Sequence, residues 1–273
     1  MDYFELKKRA MLLGANVFWL PAGVGRNSVL AAYRFKGVSS EAFALQDLSP
    51  RRNNLIKYSE TYNNVEHTPT WSSANGFSFD AVVAGLSGYL DNPALDQSDI
   101  KSAVVCFTGV EQDNRALLIT AGGASGKVQI FAATSAEVID SINDDTQEVR
   151  MSYQNYKGPG FVTVAWSGWA SVGQMAYSGS TQKASGVIGV NFESNQMFLD
   201  GASAQLSYTD NGSTYTDIGS GGHVGHTFGN SHTAKNELNG GTFASKTIIA
   251  AAFYDVELTA DQHLEVANAM LSL

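Results

Sequence analysis

The chain has one cysteine, Cys106, among 273 residues. A lone thiol cannot close a disulfide within the chain, and its place in the apolar run Ser102 to Phe107 points to a small packed hydrophobe. Proline is scarce, at 5 against 27 glycines, which excludes collagen-like and proline-rich polymers and fits many tight turns. Basic residues are also few: 17 against 26 acidic ones, a formal charge of -9. That balance repels a phosphate backbone over most of the surface, so nucleic acid is not an expected partner. No run is apolar and long enough to span a bilayer. The nearest, Ala10 to Val24 behind Lys7, Lys8 and Arg9, is interrupted by Gly14, Asn16 and Pro21, and Asp2 and Glu5 sit in its would-be basic flank. Neither a membrane span nor a signal segment is expected. A Gly-x-Ser-x-Gly elbow, a His-Glu-x-x-His helix and a Walker loop are all missing.

What is present is hydrophobic and turn-rich. With 44% hydrophobic and 16% charged residues, the chain can bury a large core. Its length suits one sandwich domain, since such domains run to about 200 to 250 residues. From Val29 onward, about a dozen short apolar runs are bounded by Gly, Asn or Asp. They are Val29 to Phe35, Gly76 to Ala81, Ser102 to Val110, Arg115 to Ala121, Val128 to Ala133, Glu148 to Tyr153, Gly160 to Trp166, Gln174 to Tyr177, Gly186 to Phe192, Gln196 to Leu199, Ala204 to Tyr208 and Thr247 to Tyr254. Phe161, Thr163 and Ala165 alternate with Val162, Val164 and Trp166, the period of a sheet. Without long helices between them, these runs predict two packed antiparallel sheets, an all-β sandwich.

Two helices flank the runs. Asp2 to Leu13 carries helix formers with Phe4, Leu6, Met11 and Leu12, so residues 1–28 are expected to form an N-terminal arm ahead of a sandwich over residues 29–273. At the other end, Thr259-Ala260-Asp261-Gln262 has the form of a capping box. The helix it opens is expected to lay Leu264, Ala267, Met270 and Leu271 on the sandwich.

Several segments then take on a family likeness. Trp71, Gly76-Phe77-Ser78-Phe79-Asp80 and Tyr89-Leu90 resemble the opening of laminin-G-like, concanavalin A-like jelly-roll domains. Phe198-Leu199-Asp200-Gly201 resembles one of their hairpins, and Phe253 to Gln262 their last strand and capped helix. The resemblance implies the jelly-roll fold and says little of function. The basic segment Leu6 to Leu12 also resembles the start of some bacteriophage structural proteins. That likeness implies assembly into a virion in the host cytoplasm, an extracellular or cell-surface location being the alternative.

Candidate chemistry is sparse. Glycoside hydrolases on this fold carry a Glu-x-Asp-x-x-Glu pattern, whose nearest match here, Glu111 to Ala116, ends on alanine and reads as a polar turn. His223, His226 and His232 lie close together in a glycine-rich stretch, as imidazole metal ligands would, but in no recurrent zinc spacing. Asp91, Asn92 and Asp96 in one expected loop, and Asp140, Asn143, Asp144 and Asp145 in another, offer oxygen ligands of the kind calcium takes, without an EF-hand arrangement. Solvated loops are the plainer reading, and no cofactor is expected beyond that calcium alternative. Aromatic residues are the expected recognition elements: Trp169 beyond the Ser167-Gly168 turn, with Tyr156 and Tyr177.

The reading is a non-enzymatic phage virion component, of tail, fibre or head decoration, as a homo-oligomer. Residues 1–25 would meet other virion or surface proteins, and a host-surface glycan or protein would be the ligand. The alternatives are a secreted or surface bacterial carbohydrate-binding lectin module and, behind it, a glycoside hydrolase.

Overall fold

The computed structural model describes residues 19–80, 88–95, 99–109, 115–121, 126–133, 137–143, 150–155, 161–168, 171–178, 185–191, 194, 196–203, 208–209, 226–228 and 246–273. Side chains are described for 19–61, 63–80, 88–95, 99–109, 185–191, 194, 196, 198–203 and 246–273. In chain order the described strands are β1 (Val29–Arg34), β2 (Ile56–Tyr58), β3 (Glu60–Tyr62), β4 (Val65–His67), β5 (Thr70–Ser72), β6 (Gly76–Phe79) and β7 (Tyr89–Asn92). There follow β8 (Ser102–Thr108), β9 (Arg115–Ala121), β10 (Gly126–Ala133), β11 (Glu137–Asn143), β12 (Arg150–Asn155), β13 (Phe161–Gly168) and β14 (Ser171–Ser178). The last are β15 (Gly186–Asn191), β16 (Gln196–Leu199), β17 (Ala202–Ser203), β18 (Tyr208–Thr209), β19 (His226–Phe228) and β20 (Lys246–Tyr254). A one-turn helix, Glu41–Ala44, and a C-terminal helix, Ala260–Leu271, accompany them.

The fold is an all-β sandwich. One sheet has the order β17-β16-β15-β8-β20-β6-β5, with β1 also paired to β20, and the other runs β18-β14-β13-β10-β9-β19-β7-β2. Hairpins β3–β4 and β11–β12 stand apart from both. Three expectations change here. Asp91 and Asn92 lie in β7, Asp140 and Asn143 in β11, and His226 in β19, so these positions are strand and not loop. In each case β-branched or aromatic neighbours such as Val138, Ile139, Thr227 and Phe228 supply the strand tendency that the polar residues conceal.

Strands of the first sheet read as continuous apolar runs because both faces of that sheet are covered. Val105, Phe107, Ile188, Val190, Ala251 and Phe253 face a core that also holds Leu90 and Leu55 from the side of the second sheet. Val104, Cys106, Val187, Ala250, Ala252 and Tyr254 face the other way, onto Trp19, Val266, Ala267 and Met270. Cys106 is buried as a small hydrophobe, and burial pushes its thiol up to about 12. Register shifts between Val29 and Ala31 and between Ile248 and Ala250 reset which residues of β1 and β20 meet each core.

The C-terminal helix opens on the expected capping box, Thr259 accepting from the Gln262 amide while Gln262 Oε1 accepts from the Thr259 amide. Its buried face differs from the expected one. His263, Val266, Ala267 and Met270 are buried, whereas Leu264 and Leu271 are 43% and 50% exposed. The inward row begins one residue earlier because His263, the polar member that hydrophobicity misses, is satisfied by a buried partner: its Nε2 lies 2.9 Å from Asn191 Oδ1.

Residues 19–24 belong to this side of the sandwich. Trp19 is buried, Leu20 and Val24 pack beside it, the Ala22 amide donates to Glu265 Oε2 at 2.9 Å, and Gln262 Nε2 donates to the Ala22 carbonyl at 2.9 Å. Residues 1–25 are expected to meet other proteins, and Trp19 lies within them. The chain covers it itself. The expected helix at Asp2 to Leu13 lies outside the described residues.

Candidate functional site

β2 and β7 are neighbouring antiparallel strands with Ile56 opposite Asp91 and Tyr58 opposite Tyr89. Residues two apart on a strand share a face, so Ile56, Tyr58, Tyr89 and Asp91 form one patch, while Leu90 between them enters the core. The same alternation runs on through the sheet. Asp91 is in register with Thr227, and then with Thr120, Gln129, Ala165 and Gln174; Leu90 is in register with Phe228, Ile119, Ile130, Val164 and Met175. One row is largely polar and the next wholly apolar, the pattern of an antiparallel sheet with one face on a core.

Two tyrosines dominate the patch. The rings of Tyr58 and Tyr89 stack with centroids 4.9 Å apart and planes inclined by 19°, an arrangement worth about 0.5–1.5 kcal/mol beyond its area. Tyr89 is buried, but Tyr58 on the edge strand keeps 37% of its surface exposed, as does 45% of Ile56. Gly88 sets the approach of the β3–β4 hairpin to this pair. A Cβ there would lie 2.6 Å from the His67 carbonyl oxygen and 2.7 Å from that of Tyr58, so no side chain fits.

Asp91 supplies the charge. The residue is only 4% exposed, and its Oδ1 is buried without a hydrogen-bond donor among the described residues. Burial pushes its carboxyl up to about 6, against a smaller lowering by the Asn92 backbone N–H. Burial likewise pushes the Tyr89 phenol up to about 12, helped by the negative charges of Glu60 and Asp91. An acceptor oxygen with no donor among the described residues thus lies next to an aromatic pair with an open edge.

The other anticipated residues are dispersed. Asn92, next to Asp91 in the strand, points to the opposite face, where its Nδ2 donates to the Tyr33 hydroxyl at 2.7 Å and its Oδ1 accepts from the Ala94 amide at 3.0 Å. The pleat therefore separates two residues that were expected to face one cation. His226 is in register with Asn92 and not with Asp91. Tyr177 pairs with Val162, out of step with the row of Asp91. Trp169, Tyr156, Asp96, His223 and His232 lie outside the described residues, as do Glu111 to Asn114, Asp144 and Asp145. Among the described residues, no three His, Cys, Asp or Glu side chains gather as a metal site would require.

A second polar cluster is a fastening. Ser102 Oγ donates to Asn191 Oδ1 at 2.7 Å, which also accepts from His263 Nε2, and Asn191 Nδ2 donates to the Leu258 carbonyl at 2.8 Å. Serine and histidine both address the asparagine, and Ser102, Asn191 and His263 are all at most 1% exposed. The arrangement ties the helix to β8 and β15. Burial drives the His263 imidazole down to about 3, so it is neutral, and its proton sits on Nε2 because Asn191 Oδ1 can only accept. Nδ1 then faces Gly189 with no donor among the described residues.

No protein-family model matches the chain, and no curated protein matches its sequence. Solved structures do match. Botulinum neurotoxin binding domains share this fold. That of serotype D/C VPI 5993 aligns with 90% of this chain and 53% of its own, at 9% identity and a TM-score of 0.51. A structure of botulinum neurotoxin type C, which enters cells in dependence on interaction with two ganglioside molecules, aligns with 90% of this chain and 52% of its own, at 8% identity and 0.52. The neurotoxin DC binding domain in complex with SialylT gives 90%, 52%, 10% and 0.50 in the same order. The chain thus spans about half the length of these structures. At such identities the likeness is one of fold.

Proposed function

We propose that the chain is a non-enzymatic binding domain that recognises a glycan at Tyr58, Tyr89 and Asp91. Asp91 carries the reading. Its Oδ1 is buried with no donor among the described residues, and buried polar groups of this kind call for a specific explanation. The exposed face of Tyr58 suits the apolar face of a pyranose ring, and Asp91 beside it is an acceptor for ligand hydroxyls once the site opens to a ligand. The ganglioside and SialylT ligands named for the neurotoxin structures support a glycan as the ligand class.

The surroundings of this binding domain are a finer proposal. The resemblance at Leu6 to Leu12 favours a bacteriophage particle assembled in the host cytoplasm, with a host-surface glycan as ligand. Because residues 19–24 pack on the body of the chain, the segment offered to other particle proteins or to further copies is the one before Trp19.

A glycan array with the purified chain, followed by calorimetry on Tyr58→Ala and Asp91→Asn, tests the binding site. The expected result is a bound glycan whose affinity falls at least about tenfold in each variant, the equivalent of one lost hydrogen bond to a charged group. Binding that survives both changes would move recognition elsewhere, toward Trp169, Tyr156 and Tyr177. Co-purification with particle proteins, lost on deletion of residues 1–18, tests the virion context.

A further inference from the structure

Resting on glycan recognition at Tyr58, Tyr89 and Asp91, we propose that Asn92 is the positioning residue of that site: together with Tyr33 it holds the segment before β2 so that Ile56 and Tyr58 turn to the ligand side. β2 runs in a register that apolar area alone does not favour. Leu55 and Lys57 alternate with Ile56 and Tyr58, and a slip of one residue against β7 would exchange the two sets between the faces of the sheet. In the observed register Lys57 is opposite Leu90, which enters the core, whereas Ile56 and Tyr58 are 45% and 37% exposed. The slipped register would bury Ile56 and Tyr58 at the expense of Leu55 and leave Lys57 in water. As a three-residue strand at the end of its sheet, β2 has few ladder bonds with which to resist the slip.

Polar contacts ahead of the strand set the observed register. The Asn53 carbonyl, three residues before Ile56, accepts from the Tyr33 hydroxyl and from Asn92 Nδ2, each at 3.2 Å. Asn92 Nδ2 also donates to the Tyr33 hydroxyl at 2.7 Å, closing a triangle of bonds between β1, β7 and the segment before β2. The Asn53 amide donates to Asp47 Oδ2 at 3.0 Å, and the Leu55 amide to the Leu45 carbonyl at 2.8 Å, with the Leu55 side chain in the core. Lys57 forms an ion pair with Glu41 on the one-turn helix.

Within this network Asn92 ties the register to the site. It stands on the strand that carries Tyr89 and Asp91, and it grips the chain that leads into Tyr58. A slip of one residue moves the Asn53 carbonyl by about 3.3 Å, the rise of one strand residue, out of reach of both donors. Asn92 and Tyr33 are fully buried, so donors stripped of that acceptor oppose the slip. The stacking of Tyr58 on Tyr89 follows from the register they enforce.

Asn92→Ala, Asn92→Asp and Tyr33→Phe in the full chain provide the test, with Ser102→Ala in the other sheet as control. Asn92→Asp keeps the acceptor for the Ala94 amide and loses the donor to Asn53, and Tyr33→Phe removes only the hydroxyl. Each variant would be read by its urea unfolding midpoint and by nuclear Overhauser contacts between the Tyr58 and Tyr89 rings in tyrosine-labelled protein. Calorimetry with galactose-, glucose-, mannose- and N-acetylglucosamine-terminated glycans gives the third readout. Expected in both Asn92 variants are loss of the ring contact and affinity lower by about tenfold or more, with a smaller loss in Tyr33→Phe. Ser102→Ala should lower the midpoint and leave ring contact and affinity as they are. Ring contact and affinity retained in Asn92→Asp and Tyr33→Phe would overturn the positioning role, as would an equal loss of affinity in Ser102→Ala. Should the Asn92 variants fail to fold, Tyr33→Phe decides by the same two readouts. A parent protein that binds none of these glycans, with the ring contact still lost in the variants, would overturn the glycan site and leave Asn92 the determinant of strand register alone.

Discussion

The Tyr254 hydroxyl donates to the backbone carbonyl of Trp19 at 2.6 Å, joining the end of the last strand to a residue 235 positions earlier. Both side chains are buried on the face of the first sheet that the C-terminal helix covers. Trp19 therefore belongs to the core beneath that helix.

Trp19→Ala is expected to lower stability by about 3–5 kcal/mol, the range for emptying a large aromatic site in a core. Truncation to a start at Asn27 should do at least as much, because it also removes Leu20 and the Ala22 contacts with Gln262 and Glu265. Tyr254→Phe should lose about 1 kcal/mol, the net worth of one hydrogen bond. Urea unfolding of the purified variants measures all three, and an unchanged midpoint on truncation would show that residues 19–26 are dispensable for folding.

Asp91 has a folded-state pKa raised to about 6 from 3.8, so the native state binds more protons than the unfolded state between those values. Its ionisation thus works against folding as pH rises through that window. Asp91→Asn should gain stability relative to the parent protein at pH 7, and the gain should shrink as pH falls from about 6 toward 4. Thermal unfolding across that range, with glycan binding followed in parallel, is expected to show a variant that folds better and binds worse.

His263 acts in the opposite direction. Its pKa is about 3 when folded and 6.5 when free, so the unfolded state takes up the extra proton and stability drains away as pH falls from 6.5 toward 3. His263→Gln keeps a donor for Asn191 Oδ1 and removes the titration. The difference in stability between variant and parent should therefore move in favour of the variant with acidification. A difference curve flat between pH 7 and pH 4 would mean that His263 takes up its proton in the native state as readily as in the unfolded chain.

Gly88→Ala probes the contact between the β3–β4 hairpin and the tyrosine pair. The added methyl would meet two backbone carbonyls that cannot rotate away, at His67 and Tyr58. A loss of about 1–3 kcal/mol is expected, as for other overpacked sites, together with weaker glycan binding as Tyr58 shifts. Denaturant titration and calorimetry on one preparation read both effects.

Much of the fold was legible locally. Ser102 to Phe107 and Thr247 to Tyr254 announce strands because β-branched, aromatic and small apolar residues run unbroken between turn residues, and β8 and β20 occupy those places. Thr259 and Gln262 announce a helix start because a capping box is a bond between residues three apart and needs nothing distant. The short strands β2 to β5 and β7 were missed: at three or four residues with polar members, their tendency to extend comes from the partner strand.

The candidate site was not legible. Asp91 and Asn92 stood out as acidic-loop residues, yet nothing near them in sequence reveals that one will lie beside Tyr58 and the other beneath it, bonded to Tyr33. Tyr58 itself carries no local mark. Its partner Tyr89 is far along the chain, and the pairing of β2 with β7 brings the rings together.

Sequence alone determined that this chain would be an all-β sandwich ending in a capped helix, because hydrophobic periodicity, turn residues and capping act over a few neighbouring residues. Only the tertiary structure decided which face each strand and helix would bury. Whether His263 or Leu264 turns inward, whether Trp19 is covered by its own chain, and whether Asp91 meets an aromatic pair all depend on register, bulges and contacts between distant segments. Those are collective properties of the packed sheets, and no single stretch of residues encodes them.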